Sequence, residues 1–107
     1  MLLNKLNRLR DLPHNWNSYG AEPPSPAAIR GAQLFLINHH HLALPFYFLA
    51  PGVNGEVMLE FQEQNKAAEL YFLDDGQTEL ILFQDDEIVA ESNLDEGFRG
   101  LINFFNP

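Results

Sequence analysis

Turn-forming residues recur about every ten positions through the second half of this chain: Asn54-Gly55, Gln64-Asn65, Asp74-Asp75-Gly76 and Asp85-Asp86. Between them the apolar residues alternate with polar ones. That rhythm predicts an antiparallel β-meander, because a period of two sends alternate side chains to opposite faces and short turns return the chain beside itself. The expected strands are 46–50, 56–63, 66–73, 77–84 and 87–91.

The turns can be tested against one another. A two-residue turn at Gln64-Asn65 pairs Phe61 with Ala68, Leu59 with Leu70 and Val57 with Phe72, all apolar. A two-residue loop at Asp75-Gly76 would set Phe72 against Glu79. A three-residue loop, Asp74-Asp75-Gly76, instead pairs Leu70 with Leu80 and Ala68 with Leu82, with Gly76 in the left-handed position such loops need. A two-residue turn at Asp85-Asp86 then pairs Leu82 with Val89. One inner face results, and a slip of one residue would turn every side chain over.

Helices flank the meander. Leu2, Leu6 and Leu9 recur at helical spacing within 2–11, which Pro13 ends. Ser25-Pro26 is an N-cap followed by proline at the first helical position, opening a helix to about Asn38 with Ile29, Ala32 and Leu36 on one face and Phe35 beside it. Ser92 or Asn93 caps a last helix, where Asp95 and Glu96 suit the positive dipole end. There Leu94, Phe98, Leu101, Ile102 and Phe105 form one apolar stripe. The expectation is one α+β domain over 1–107, in the order α-α-β-β-β-β-β-α, with a four- to five-stranded meander and its helices mainly on one face.

Charge narrows the function classes. The 107 residues carry a formal net charge of −9. Residues 1–41 hold four cations (Lys5, Arg8, Arg10, Arg30) against two acids, a net of +2, whereas residues 42–107 hold two cations against thirteen acids, a net of −11. An acidic sheet repels phosphates, which argues against nucleic acid and favours a basic partner or solubility alone. Only the basic first helix offers a nucleic-acid reading, and strong salt dependence of binding would have to accompany it. The chain has no cysteine, so disulfide and thiolate chemistry are excluded and a reducing, cytoplasmic setting is expected. No apolar run reaches the roughly 20 residues that span a bilayer, and the polar residues in MLLNKLNRLR do not read as a secretory core.

No catalytic residue, cofactor or metal ligand is expected. His39, His40 and His41 are consecutive, so on a helix they point about 100° apart and do not converge on one ion. They suit a helix C-terminus instead. His14, three residues from Asp11, has no nucleophile beside it. Ser18 and Ser25 read as turn and cap residues, and the paired aspartates as turn formers that supply too few oxygens for calcium. Nucleotide-binding glycine motifs and the G-x-S-x-G nucleophile elbow are absent.

The outer face of the sheet is the candidate site. The register places Glu56, Met58, Glu60, Glu69, Tyr71, Glu79, Ile81, Phe83 and Ile88 there. A solvated face would be mostly polar. Glu60 also faces Glu69, a like-charge pair that a basic partner would relieve. This mixture predicts a protein interface, with a basic protein or a second copy, unless the first helix or the aromatic loop covers it. The expected function is a non-enzymatic interaction module, such as a small acidic inhibitor, an antitoxin-like protein or an adaptor. The alternative is a small-ligand-binding or hydrolytic domain using the Trp16/Tyr19 loop with His14, which requires a concave pocket beside Trp16.

The segment Leu12-Pro13-His14-Asn15-Trp16-Asn17-Ser18-Tyr19-Gly20-Ala21-Glu22-Pro23-Pro24-Ser25-Pro26, leading into Ala28-Ile29, resembles a recurrent stretch in small bacterial proteins. Those have Leu-Pro-x-x-Trp-Asn/Asp-x-Tyr-Gly-Ala before a Pro-Ser-capped helix, then short strands like Gly55-Glu56-Val57-Met58-Leu59-Glu60-Phe61. The likeness covers roughly half of the chain and is moderately specific. It implies a bacterial or phage origin and a shared loop architecture, and it brings no activity or catalytic residue with it.

Overall fold

The computed structural model describes residues 2–14, 16–17, 20–39, 42 and 44–107, with the side chains of residues 2–4 left out. The expected roles of Leu2, Ser18, Tyr19, His40 and His41 fall outside it. The elements are α1 (Leu2–Leu9), α2 (Pro26–His39), β1 (Phe46–Pro51), β2 (Val57–Glu63), β3 (Lys66–Phe72), β4 (Thr78–Gln84), β5 (Glu87–Ser92) and α3 (Leu94–Phe105). The strands form one five-stranded antiparallel sheet in the order β1-β2-β3-β4-β5. This is the α+β architecture and element order expected.

The hairpin registers follow from the turns. Gln64 lies at φ 55°, Asp85 at 53°, Asp86 at 67° and Gly76 at 91°, the left-handed conformations that tight hairpins use. They set Leu59 opposite Leu70, Val57 opposite Phe72 and Leu70 opposite Leu80. The amide of Asp85 donates to the carbonyl of Asn65 at 2.9 Å, and Asn65 Nδ2 donates to Asp85 Oδ1 at 3.0 Å, tying two turns together.

One expected pair does not form. Phe83 pairs with Ile88, but Leu82 pairs with Ala90, so Val89 is the extra residue of a β-bulge. The reason is Glu91. Unbroken register would set Glu91 opposite Leu80, pointing into the core without a partner. The bulge turns Glu91 outward beside Ile81 and sets Ala90 and Ser92 opposite Leu82 and Leu80, with Ser92 half-buried and Ala90 exposed at the sheet edge. There α3 packs so closely that a Cβ at Gly97 would collide with Ser92 Oγ. A second irregularity, between Phe46 and Phe48, sets Tyr47 out of β1's pairing with β2.

The helices form one layer. The α2 helix packs on β2 and β3, α3 on β3, β4 and β5, and α1 on α2 and β1. Leu6, Ile29, Ala32, Phe35, Leu101 and Phe105 join the inner sheet residues in one buried cluster. The caps act as expected. Ser25 Oγ accepts from the Ala28 amide at 3.0 Å, and Asn93 Oδ1 accepts from the Glu96 amide at 2.8 Å. The first helix is shorter than expected. Residues 10–12 close in a tight turn, with Asp11 and Leu12 bonding the carbonyls of Arg8 and Leu9, because Pro13 disfavours helical geometry in the residue before it.

Candidate interaction face

The two sheet faces have different surroundings. Inner residues Val57, Leu59, Phe61, Ala68, Leu70, Phe72, Leu80 and Leu82 are at most 8% exposed. On the other face, Met58, Glu60, Glu69, Tyr71, Ile81 and Phe83 are half-buried and Glu79 is exposed. Ile88 is 54% exposed and Phe48 is 43% exposed. Among the described residues no helix lies over this face. Leu6 and Leu9 bury with α2 and the inner row, which puts α1 in the helix layer rather than over the outer face. From there Lys5 reaches the edge, its Nζ 5.0 Å from the centre of the Phe48 ring.

Cross-strand pairing sets the face in rows. The first is Ala50, Met58, Tyr71 and Glu79; the second is Phe48, Glu60, Glu69, Ile81 and Glu91; the third is Gln62, Ala67, Phe83 and Ile88. Tyr71 is the centre of charge. Its hydroxyl donates to Glu69 Oε1 at 2.7 Å. Burial, that bond and the nearby charges of Glu69, Glu60 and Glu56 push its pKa up from 10.0 to about 12. A phenolate there would be desolvated among carboxylates, so the neutral ring is favoured.

Glu56 is engaged locally. Its Oε1 accepts from the Asn54 amide at 2.8 Å and its carbonyl accepts from the Gly52 amide at 2.9 Å. A side chain at Gly52 would collide with the Glu56 carboxylate. Glu56 therefore holds the β1–β2 turn, and the acids facing outward around Tyr71 are Glu60, Glu69 and Glu79.

The aromatic loop lies at one end of the sheet. Trp16 Nε1 donates to the Glu22 carbonyl at 2.8 Å. The Glu22 amide donates to the Val53 carbonyl at 3.0 Å, the Ser25 amide to Gly55 at 2.9 Å, and Ser25 Oγ to the Asp74 carbonyl at 2.9 Å. These bonds strap the loop to the β1–β2 and β3–β4 turns. His14 pairs with Glu22 rather than Asp11, at 3.2 Å, both side chains more than 60% exposed. A contact so open to water contributes little to stability.

Of the histidine run, His39 is the last residue of α2. The His39 ring packs 5.0 Å from Phe35 and 4.5 Å from Phe98 between ring centres. Among the described residues no three His, Cys, Asp or Glu side chains gather to hold a metal ion. No helix among them is long and apolar enough to cross a membrane. No family model, curated protein or solved structure matches the chain.

Proposed function

We propose that this chain is a non-enzymatic protein-interaction module that takes a basic protein partner on its outer sheet face. The carrying observation is the Tyr71 neighbourhood: three outward carboxylates, with Met58, Ile81 and Phe83 between them, on a face that no described helix covers. A partner's apolar groups would cover Met58, Ile81 and Phe83, while its cations neutralise Glu60, Glu69 and Glu79. Desolvating those acids without cations would be costly. The same argument disfavours a second copy on this face, since twofold contact would crowd the acids of both chains together. The role fits a small inhibitor, an antitoxin-like protein or an adaptor of bacterial or phage origin. The absence of cysteine fits a cytoplasmic setting.

The test is capture from the native host by the immobilised protein, beside the Ile81→Lys/Phe83→Asp double variant. The expected result is a basic protein retained by the parent chain, released between about 50 and 500 mM salt as screening takes hold, and not retained by the variant. Equal retention by a stably folded double variant would remove this face from the account.

A further inference from the structure

The two edges of the sheet are guarded unequally. Along β1, helix α1 packs against the strand, Lys5 stands over the Phe48 ring, Tyr47 leaves the pairing and Pro51 ends the strand. A covering helix, lysine, proline and bulges are the devices that keep an edge from pairing with another chain. Strand β5 is the opposite edge. It has the bulge at Val89 but no lysine and no proline. Its residues Glu87, Ile88, Val89, Ala90 and Glu91 are all exposed. The bulge also puts both Ile88 and Glu91 on the outer face, in the rows of Phe83 and Ile81.

We infer that β5 takes an extended basic segment of a protein partner as a sixth strand. This rests on the proposed reading of the outer face as the site of a basic partner, and it names how that partner is held. Alternation in an antiparallel ladder turns the N–H and C=O of every other edge residue away from the sheet. An added strand finds its main-chain partners there. Charge selects the occupant. Residues 67–98 hold ten carboxylates and no Lys or Arg, and four of the ten, Asp85, Asp86, Glu87 and Glu91, lie on or beside β5. A second copy adding its own β5 would bring these acids together. The rows then specify the segment. Its residue beside Ile88 continues the row of Ala67, Phe83 and Ile88 and is apolar. Its residue beside Glu91 is a lysine or arginine, at the groove of about 350 Å³ that Glu79, Ile81 and Glu91 help to line. The two positions are two apart in the segment, as Ile81 and Phe83 are in β4.

A short acetylated peptide alternating Lys and Val is the probe, titrated into the isotope-labelled whole chain at low salt. Amide shifts should concentrate at residues 87–91, with slowed hydrogen exchange there and a Kd below about 1 mM. N-methylation of alternate peptide amides removes main-chain donors and keeps the charge, so it should weaken binding at least about tenfold. No binding at about 1 mM, equal affinity of the methylated peptide, or shifts centred on Met58 and Tyr71 with unchanged exchange in β5 would each overturn the inference. The Ile81→Lys/Phe83→Asp variant separates it from the reading beneath it. A basic partner lost by that variant, with no peptide response at β5, overturns strand addition alone. A basic partner retained by the folded variant, with the peptide still bound at β5, removes the outer-face reading and supports the edge.

Discussion

The two faces of one sheet are built from alternate residues of the same strands, yet they obey different rules. On the inner face the central cross-strand pairs are apolar, Leu59 with Leu70, Phe61 with Ala68, Leu70 with Leu80 and Ala68 with Leu82, and helices α2 and α3 pack on it. On the outer face Glu60 opposes Glu69 at the middle of the sheet, and Ile81, Phe83 and Ile88 remain accessible beside it. Folding energetics account for the first composition: burying each large side chain is worth about 1.5–3 kcal/mol. They do not account for the second, since opposed carboxylates destabilise a sheet and exposed hydrophobics add nothing to it. That contrast is the ground for the proposed contact of the outer face with another molecule.

Substitutions can break this comparison. Leu59→Ala or Leu70→Ala, both fully buried, should cost about 2–5 kcal/mol in urea unfolding through the cavity each leaves. Met58→Ala or Ile81→Ala, their outer-face neighbours, should cost less than about 1 kcal/mol. Equal losses on both faces would show that the outer face is structural. Glu60→Lys turns a repulsive pair into an attractive one, so it should raise stability by about 0.2–1 kcal/mol while weakening retention of a basic partner. Loss of both would separate charge from function.

Tyr71 supplies a pH test. Its pKa is raised from 10.0 to about 12 in the folded chain, so folding favours the protonated phenol. That contribution is complete below pH 10.0 and is lost as pH rises toward about 12. Absorbance titration should show one tyrosine ionising near the top of that window, and Tyr71→Phe should remove the corresponding fall in stability. The smallest effect belongs to the turns. Asp86→Gly relieves a left-handed side chain, and its gain should stay below about 1 kcal/mol, because glycine also loosens the unfolded chain.

The inner face was legible because three constraints agree there. The turns at 64–65, 74–76 and 85–86 each permit one register, and period-two apolar residues in β2, β3 and β4 accept only that one. The edge strands carry less information. Phe46-Tyr47-Phe48-Leu49-Ala50 is continuously apolar, so nothing in it marks the displaced Tyr47. In Ile88-Val89-Ala90 three apolar residues in a row hide the bulge, and Glu91 is the only sign that the register must change. Which acids face outward was partly legible. The period sends Glu56 to the outer face, but its bond to the Asn54 amide depends on the three-dimensional turn. The pairing of His14 with Glu22 likewise needed the loop's path, since Asp11 is the nearer acid in sequence.

The central claim is that the outer face is open in the free protein and closed by a partner. Methyl NMR with a soluble paramagnetic agent measures this directly. The account predicts that methyl signals of Met58, Ile81 and Ile88 broaden in the free chain, that those of Leu59, Leu70 and Leu80 do not, and that the captured basic partner shields the first set. Outer-face methyls already shielded in the free chain, to the same degree as the inner ones, would contradict it.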